Sequence, residues 1–475
     1  MALLALLALL ALFQLNCSDG ADGANGTNGA DGANGADGAN GCDALIGTTN
    51  EEPGDNCEFG GQRIDFGTDD GQNEDGSPDG QACDNILQPG EISGTFYNCN
   101  SAQEVDDTDA EPGLVVTNLA LTTITDLILP GDQTGAWKFF MGEFEIPSNT
   151  ISFSLNAFHG PNGARQYLQF EALTDPFGND VLSELLNVPG IDKPFGVGFS
   201  SFLNPVLPIW HYPHHSPTPG KWSVGISDLN ADIEAFDSDL TEIKLVTRTG
   251  DLPDTPALTF QPYLTGTKYT LEDLQSPLTE LKEIYEDAGF TTVVKPVEVI
   301  SESQYSRVSC DFNDSVTSEL ISRGVGSPDS PLINLFFVEG MTTSDSNPCA
   351  VYGVAGGIPG PFITVSNRNG VLINLEAHET DGVLNNQVIG ETTAHESGHW
   401  MGLRHTTEKG GAEFDPLEDT EECPIYLDSN DNGQVEVEEC LNHGGLNLMF
   451  WTGEGGQRRL SPDQIHILKH SPIAH

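Results

Sequence analysis

The chain has 475 residues, of which 72 are Asp or Glu and only 18 Lys or Arg, for a formal charge of -54. That length exceeds what one hydrophobic core organises and implies several domains. The charge excludes nucleic acid and bare anionic membrane as partners and favours cations.

Residues 2–15, ALLALLALLALFQL, form an apolar run too short to span a bilayer and suited to the core of a signal peptide over 1–16. No lysine or arginine precedes it. Cys17 follows Gln14-Leu15-Asn16, which resembles a bacterial lipobox imperfectly. Lipid anchoring through Cys17 and ordinary secretion both stand as expectations. Over 17–41 glycine recurs every third residue without proline. Such triplets make a feeble triple helix, so this segment reads as a flexible collagen-like tether. Residues 42–100 hold Cys42, Cys57, Cys83 and Cys99, and resemble the small cysteine-bearing modules that follow glycine repeats in bacterial lipoproteins. The order of these four cysteines allows three pairings. The acidic stretch 69–76 reads as a solvated loop, because placing Gly76 at a calcium loop's turn puts Gly71 where a carboxylate is needed.

Between 110 and 250 short apolar runs at 151–155, 167–170, 222–226 and 243–246 alternate with turns, which predicts a β-sandwich. Its later part, 217–226, resembles the closing strands of accessory sandwich domains on secreted bacterial proteases. His211, His214 and His215 sit in a Pro-rich stretch with no carboxylate or cysteine at ligand spacing, and read as an exposed loop.

From about residue 256 the pattern becomes mixed α and β. Ser276-Pro277 opens a helix whose apolar stripe is Leu278, Leu281, Tyr285 and Ala288, ended by Gly289. Strand-like runs follow at 292–300 and 332–338. The runs 362–366 and 371–375 flank Asn367-Arg368-Asn369-Gly370, a hairpin signal in which Asn-Gly supplies positive φ. A helix starts near Asn386, and Ser461-Pro462-Asp463-Gln464 is a capping box opening a last one. Cys310 with Cys349 and Cys423 with Cys440 pair naturally in chain order, as expected of an exported chain.

The helix near 386 carries the chemistry. His395 and His399, four residues apart, present two imidazoles to one metal with Glu396 beside them. Gly402 lets the backbone leave the helix so that His405 can return as a third ligand. Three protein ligands leave a position open for water, which is the catalytic arrangement of zinc.

HExxHxxGxxH is the signature of the metzincin clan of zinc endopeptidases, and HESGHWMGLRHTTE is most similar to its pappalysin and cytophagalysin branch. The resemblance covers roughly 256–475. It implies a methionine turn, for which Asn447-Leu448-Met449-Phe450-Trp451 is the candidate, with Met449 beneath the metal. Several metzincins carry a tyrosine two residues after that methionine; here the position is Trp451. Asp415 and Asp419-Thr420 resemble an Asp-Thr element of related proteases whose role is unassigned.

Between zinc helix and methionine turn, 428–439 fits the EF-hand loop formula, with side-chain oxygens at Asp428, Asn430, Asn432, Glu436 and Glu439, the Gln434 carbonyl and Gly433 at the sixth place. A structural Ca²⁺ is expected there, in a loop bracketed by Cys423 and Cys440.

The expected architecture is multidomain: a signal peptide at 1–16, a tether at 17–41, a cysteine module at 42–100, a β-sandwich at 110–250 and an α+β zincin-like catalytic domain at 256–475. The expected function is a zinc endopeptidase, secreted or held at a bacterial envelope through its N-terminal lipid alone, acting on protein or peptide substrates. His395, His399 and His405 hold Zn²⁺ and Glu396 is the catalytic base. An extended substrate adds to an edge strand, with 362–375 as the candidate edge. The competing reading is a surface adhesion protein whose zinc site is vestigial or structural. Oligomeric state is open.

Overall fold

The computed structural model describes residues 44–51, 54, 56, 61–68, 88–99, 112–128, 136–158, 166–181, 202–203, 206–207, 217–230 and 242–475, the last without 313, 344–346 and 363–367. The signal run, Cys17, the glycine tether, Cys42, Cys57, Cys83, the 69–76 stretch and His211, His214 and His215 lie outside those residues. The chain divides into two compact units: Met1–Asn100 with Leu129–Gln133, and Ser101–Ile128 with Thr134–His475.

The first unit holds β1 (Ala44–Glu51), β2 (Gly61–Thr68) and β3 (Ile92–Cys99), an antiparallel meander with β2 in the middle. Asp65 of β2 is buried, and Arg63 and Thr95 donate hydrogen bonds to its carboxylate. A buried charge needs such partners.

The second unit begins with β4 (Gly113–Ala120), β5 (Thr122–Ile128), β6 (Ala136–Ile146), β7 (Thr150–Phe158), β8 (Gln166–Thr174), β9 (Phe202–Leu203), β10 (Val206–Leu207), β11 (Gly220–Asn230) and β12 (Glu242–Thr249). They form two antiparallel sheets, ordered β10-β7-β12-β4 with β9 also on β7, and β5-β6-β11-β8. Trp222, Val224 and Ile226 alternate inward along β11 and are fully buried. Phe153 of one sheet meets Phe144 and Trp222 of the other edge-on, at centroid distances of 5.5 and 5.2 Å. Interdigitated aromatics of this kind hold two sheets face to face.

The core does not break between 250 and 256. Buried side chains of both sheets and of the following segment form one continuous cluster. Arg248, on β12, is buried and donates to the carbonyls of Lys469 (2.6 Å) and Ser471 (3.1 Å).

That following segment contains β13 (Ala257–Thr265), α1 (Gln275–Asp287), β14 (Thr291–Val294), β15 (Glu298–Ile300), β16 (Arg307–Ser309), α2 (Ser315–Ile321), β17 (Ile333–Val338), β18 (Gly340–Thr342), β19 (Gly353–Ala355), β20 (Val371–Asn374), α3 (Asn386–Trp400) and α4 (Pro462–His470). Its main sheet runs β14-β13-β17-β20-β19, with β15 also beside β13. Every pair is parallel except β19 with β20. All residues of β17 and β20 are buried, as parallel strands covered on both faces require. The described chain is thus multidomain α+β, with several sheets and few helices.

Two expectations are corrected. The strand-like run 292–300 is two short strands, because Pro296 interrupts the ladder between β14 and β15. The 362–375 hairpin is not the sheet's edge. Its second strand, β20, is paired on both sides, parallel to β17 and antiparallel to β19, so its backbone groups are already used. The edge is β19. Residues 363–367 lie outside the described chain.

Helix α1 crosses α3 where Gly390 removes a side chain; a Cβ there would lie 2.8 Å from the Pro277 carbonyl oxygen. Tyr285 of α1 then donates its hydroxyl to the Ala394 carbonyl at 2.8 Å, one residue before His395. Helix α4 opens with the expected capping box between Ser461 and Gln464. Cys310 is bonded to Cys349 and Cys423 to Cys440. No helix among the described residues is long and apolar enough to cross a membrane.

Candidate active site

Helix α3 is buried along almost its whole length. Its polar residues are therefore satisfied within the helix: Thr393 donates to the Ile389 carbonyl and Ser397 to the Thr393 carbonyl, each at 2.7 Å. At its C-terminus Gly402 adopts φ 113°, a conformation that favours glycine. The Leu403 and Gly402 N–H groups close back onto the Gly398 and His399 carbonyls, the double bond of a Schellman end. This exit turns the chain back so that His405 faces His395 and His399.

The three rings converge on one point. Nε2 of His405 lies 3.2 Å from Nε2 of His395 and 3.1 Å from Nε2 of His399. Each Nδ1 faces an acceptor: the Leu448 carbonyl for His395 (2.7 Å), the Leu403 carbonyl for His399 (2.7 Å) and the Glu408 carboxylate for His405 (3.0 Å). A carbonyl only accepts, so Nδ1 carries the proton and Nε2 the lone pair. Burial holds His395 down to about 3 and His399 well below the ordinary histidine range, so both are neutral at physiological pH. Neutral imidazoles cannot hydrogen-bond one another lone pair to lone pair. With the Nε2 of His405 they form a set of metal-ligating side chains whose ligand atoms lie within 4.8 Å of one another, a spacing that fits a bound cation.

Glu396 lies beside this point, 8% exposed, and the Ala355 N–H donates to its carboxylate. Burial pushes its carboxyl up to about 8, against the lowering effect of that hydrogen bond. Strand β19 runs directly past it: a Cβ on Gly353 would stand 2.6 Å from Cγ of Glu396. The edge strand therefore packs directly against the Glu396 side chain.

Met449 is fully buried beneath α3, and a Cβ on Gly398 would lie 2.7 Å from its Sδ. Its segment is tied on both sides. The Met449 carbonyl accepts from Thr406 N–H (2.9 Å), and the Asn447 side chain accepts from Met449 N–H (2.8 Å) while its amide donates to Gln464 of α4 (2.9 Å). The Trp451 indole N–H donates to the Val435 carbonyl at 2.6 Å, so that ring is committed to the neighbouring loop rather than to the metal point.

Residues 428–439 form one loop tied by its own side chains. Asp428 accepts from Asn432 and Gly433, Glu436 from the Asn430 and Asn432 amides, and Glu439 from Ser429 and Glu436 N–H. Asp415 is buried, accepts from Thr420, and is pushed up to about 7 by its burial.

Five contributors escaped the sequence reading. The carbonyls of Leu448 and Leu403 and the Ala355 N–H are backbone groups with no residue-type signal. Glu408 had one, an acid three residues after the third histidine. His378 had none; it is buried between the Asn374 carbonyl (2.7 Å), Thr392 of α3 (3.0 Å) and the Tyr352 ring (4.6 Å), and burial holds it down to about 4. Its unfolded-state pKa is near 6.5, so the unfolded chain takes up its proton first as pH falls. Stability from this group is complete above 6.5 and lost between 6.5 and about 4, on the order of 3 kcal/mol at most. Urea unfolding at pH 7 and pH 4.5 should show a smaller acid loss in His378→Gln than in the wild type; equal losses would assign the acid sensitivity elsewhere.

Residues 43–99 match the model of a domain of unknown function (DUF7151), the segment that carries β1 to β3. No curated protein matches the chain. Metalloproteinase II from Bacteroides fragilis is a similar solved structure at 11% identity, with 62% of this chain and 80% of that one covered and a TM-score of 0.23. At that score the likeness does not establish a shared fold.

Proposed function

We propose that this protein is a zinc-dependent endopeptidase of metzincin type, exported from a bacterial cell. The observation that carries the reading is the convergence of the Nε2 atoms of His395, His399 and His405, next in sequence to a buried glutamate that packs against a sheet-edge strand. Zn²⁺ held by His395, His399 and His405 would act as a Lewis acid toward the scissile carbonyl and make a neighbouring water more acidic.

The chain's own residues do the rest. Strand β19 ends the sheet with no strand on its outer side, so an extended peptide would add there, beside the Ala355 N–H that Glu396 already uses, with its carbonyl alongside Glu396. A cation held by the three histidines would favour the ionised form of Glu396, which then takes a proton from the attacking water and hands it to the departing amine. The hydrogen bond from Ala355 fixes the carboxylate toward the same strand that holds the substrate, which preserves the near-attack geometry. Met449 supports the floor of the histidine set. Trp451 takes no part in stabilising the oxyanion. Disulfides at Cys310–Cys349 and Cys423–Cys440 suit an oxidising compartment outside the cytoplasm.

The test is cleavage of an unfolded protein substrate by the full chain. Activity should vanish with a zinc chelator and return on adding stoichiometric zinc. A metal-replete protein that cleaves nothing, across substrates of varied sequence, would leave the adhesion reading in its place.

A further inference from the structure

The three ligands are not anchored alike. His395 and His399 donate Nδ1–H to neutral backbone carbonyls, whereas His405 donates to a carboxylate, Glu408 Oε2, at 3.0 Å. Glu408 is three residues beyond His405, on a short hairpin in which Thr407 bridges Phe414, Glu408 N–H donates to the Glu413 carbonyl (2.9 Å) and Gly411 N–H donates to the Glu408 carbonyl (2.8 Å).

That hairpin is itself pinned. Cys423 N–H donates to Thr407 Oγ1 at 3.0 Å, and Ile425 N–H donates to the Gly411 carbonyl at 3.0 Å. Cys423 is closed to Cys440 by a buried disulfide. The Glu408 side chain nevertheless remains 47% exposed, so it fills no core position. The side-chain bond it makes is to His405, with the Arg404 charge also nearby.

We infer that Glu408 is the positioning residue of the metal centre: its carboxylate fixes the ring orientation and tautomer of His405 and makes that imidazole the strongest donor of the three. This assignment rests on the zinc reading above. A charged acceptor forms a shorter and stronger hydrogen bond than a neutral one and pushes electron density through the ring toward Nε2. His405 also comes from a turn beyond the helix, so its ring lacks the helical support that His395 and His399 share.

Zinc affinity of the full chain, measured by competition with a chromophoric chelator, should fall roughly 10- to 100-fold in Glu408→Ala. Glu408→Gln keeps an acceptor and loses the charge, and should fall less. Glu413→Gln, on the same hairpin, should bind as the wild type does. In metal-free protein, long-range ¹H–¹⁵N correlation spectra should show His405 protonated at Nδ1 in the wild type and mixed between tautomers in Glu408→Ala, a signature that a purely structural role would not move. Wild-type affinity and an unchanged His405 tautomer in both Glu408 variants would overturn the assignment while leaving the zinc site intact. A wild-type chain with no measurable zinc affinity would overturn both.

Discussion

Glu396→Gln should leave zinc bound and lower kcat/KM for peptide hydrolysis by roughly 10²- to 10⁴-fold. The glutamine is nearly isosteric, and its amide oxygen still accepts from Ala355 N–H, so the packing of α3 against β19 should persist. What it cannot do is take a proton. Metal content by mass spectrometry and single-turnover cleavage of a labelled peptide separate the two effects. Turnover within a few-fold of wild type would remove Glu396 from the chemistry, and loss of zinc would recast it as a ligand.

His405→Ala should do the reverse, acting on metal occupancy first. With the ring gone, two Nε2 atoms from one helix remain, and a two-ligand site should bind zinc on the order of 10²-fold more weakly or worse, given the roughly 10 to 16 kcal/mol that a full ligand set supplies to structural zinc. Activity should then be recoverable in part by excess zinc, which could not rescue Glu396→Gln. The Met449 floor and the bond from His395 to Leu448 do not involve this ring, so the metal-free variant should melt close to metal-free wild type. Unchanged zinc affinity would mean that the convergence of the three rings does not make a metal site.

Much of this centre was legible because it is local. The spacing of His395, Glu396 and His399 follows the helical repeat, and Gly402 marks the one backbone conformation that lets the chain turn back. The same locality made the capping box at Ser461 and the helix around Tyr285 readable. Where the outcome depended on distant pairing, sequence signals misled. Asn369-Gly370 is a strong turn signal, yet Val371 to Asn374 is apolar on both faces, and the pairing with β17 and β19 decided its place in the middle of the sheet. Strand β19, the element nearest Glu396, is only three residues long and carries no periodicity to read.

The acceptor that orients His395 is the carbonyl of Leu448, 53 residues further along the chain. A ribosome adding about 5 to 20 residues per second needs several seconds to cover that interval. During it the helix motif exists without its support: His395 has no partner to fix its tautomer, and Met449 is not yet beneath Gly398. His395 therefore gains its orienting acceptor only when the stretch around Met449 packs beneath the helix, so the helix motif alone does not make the complete histidine set.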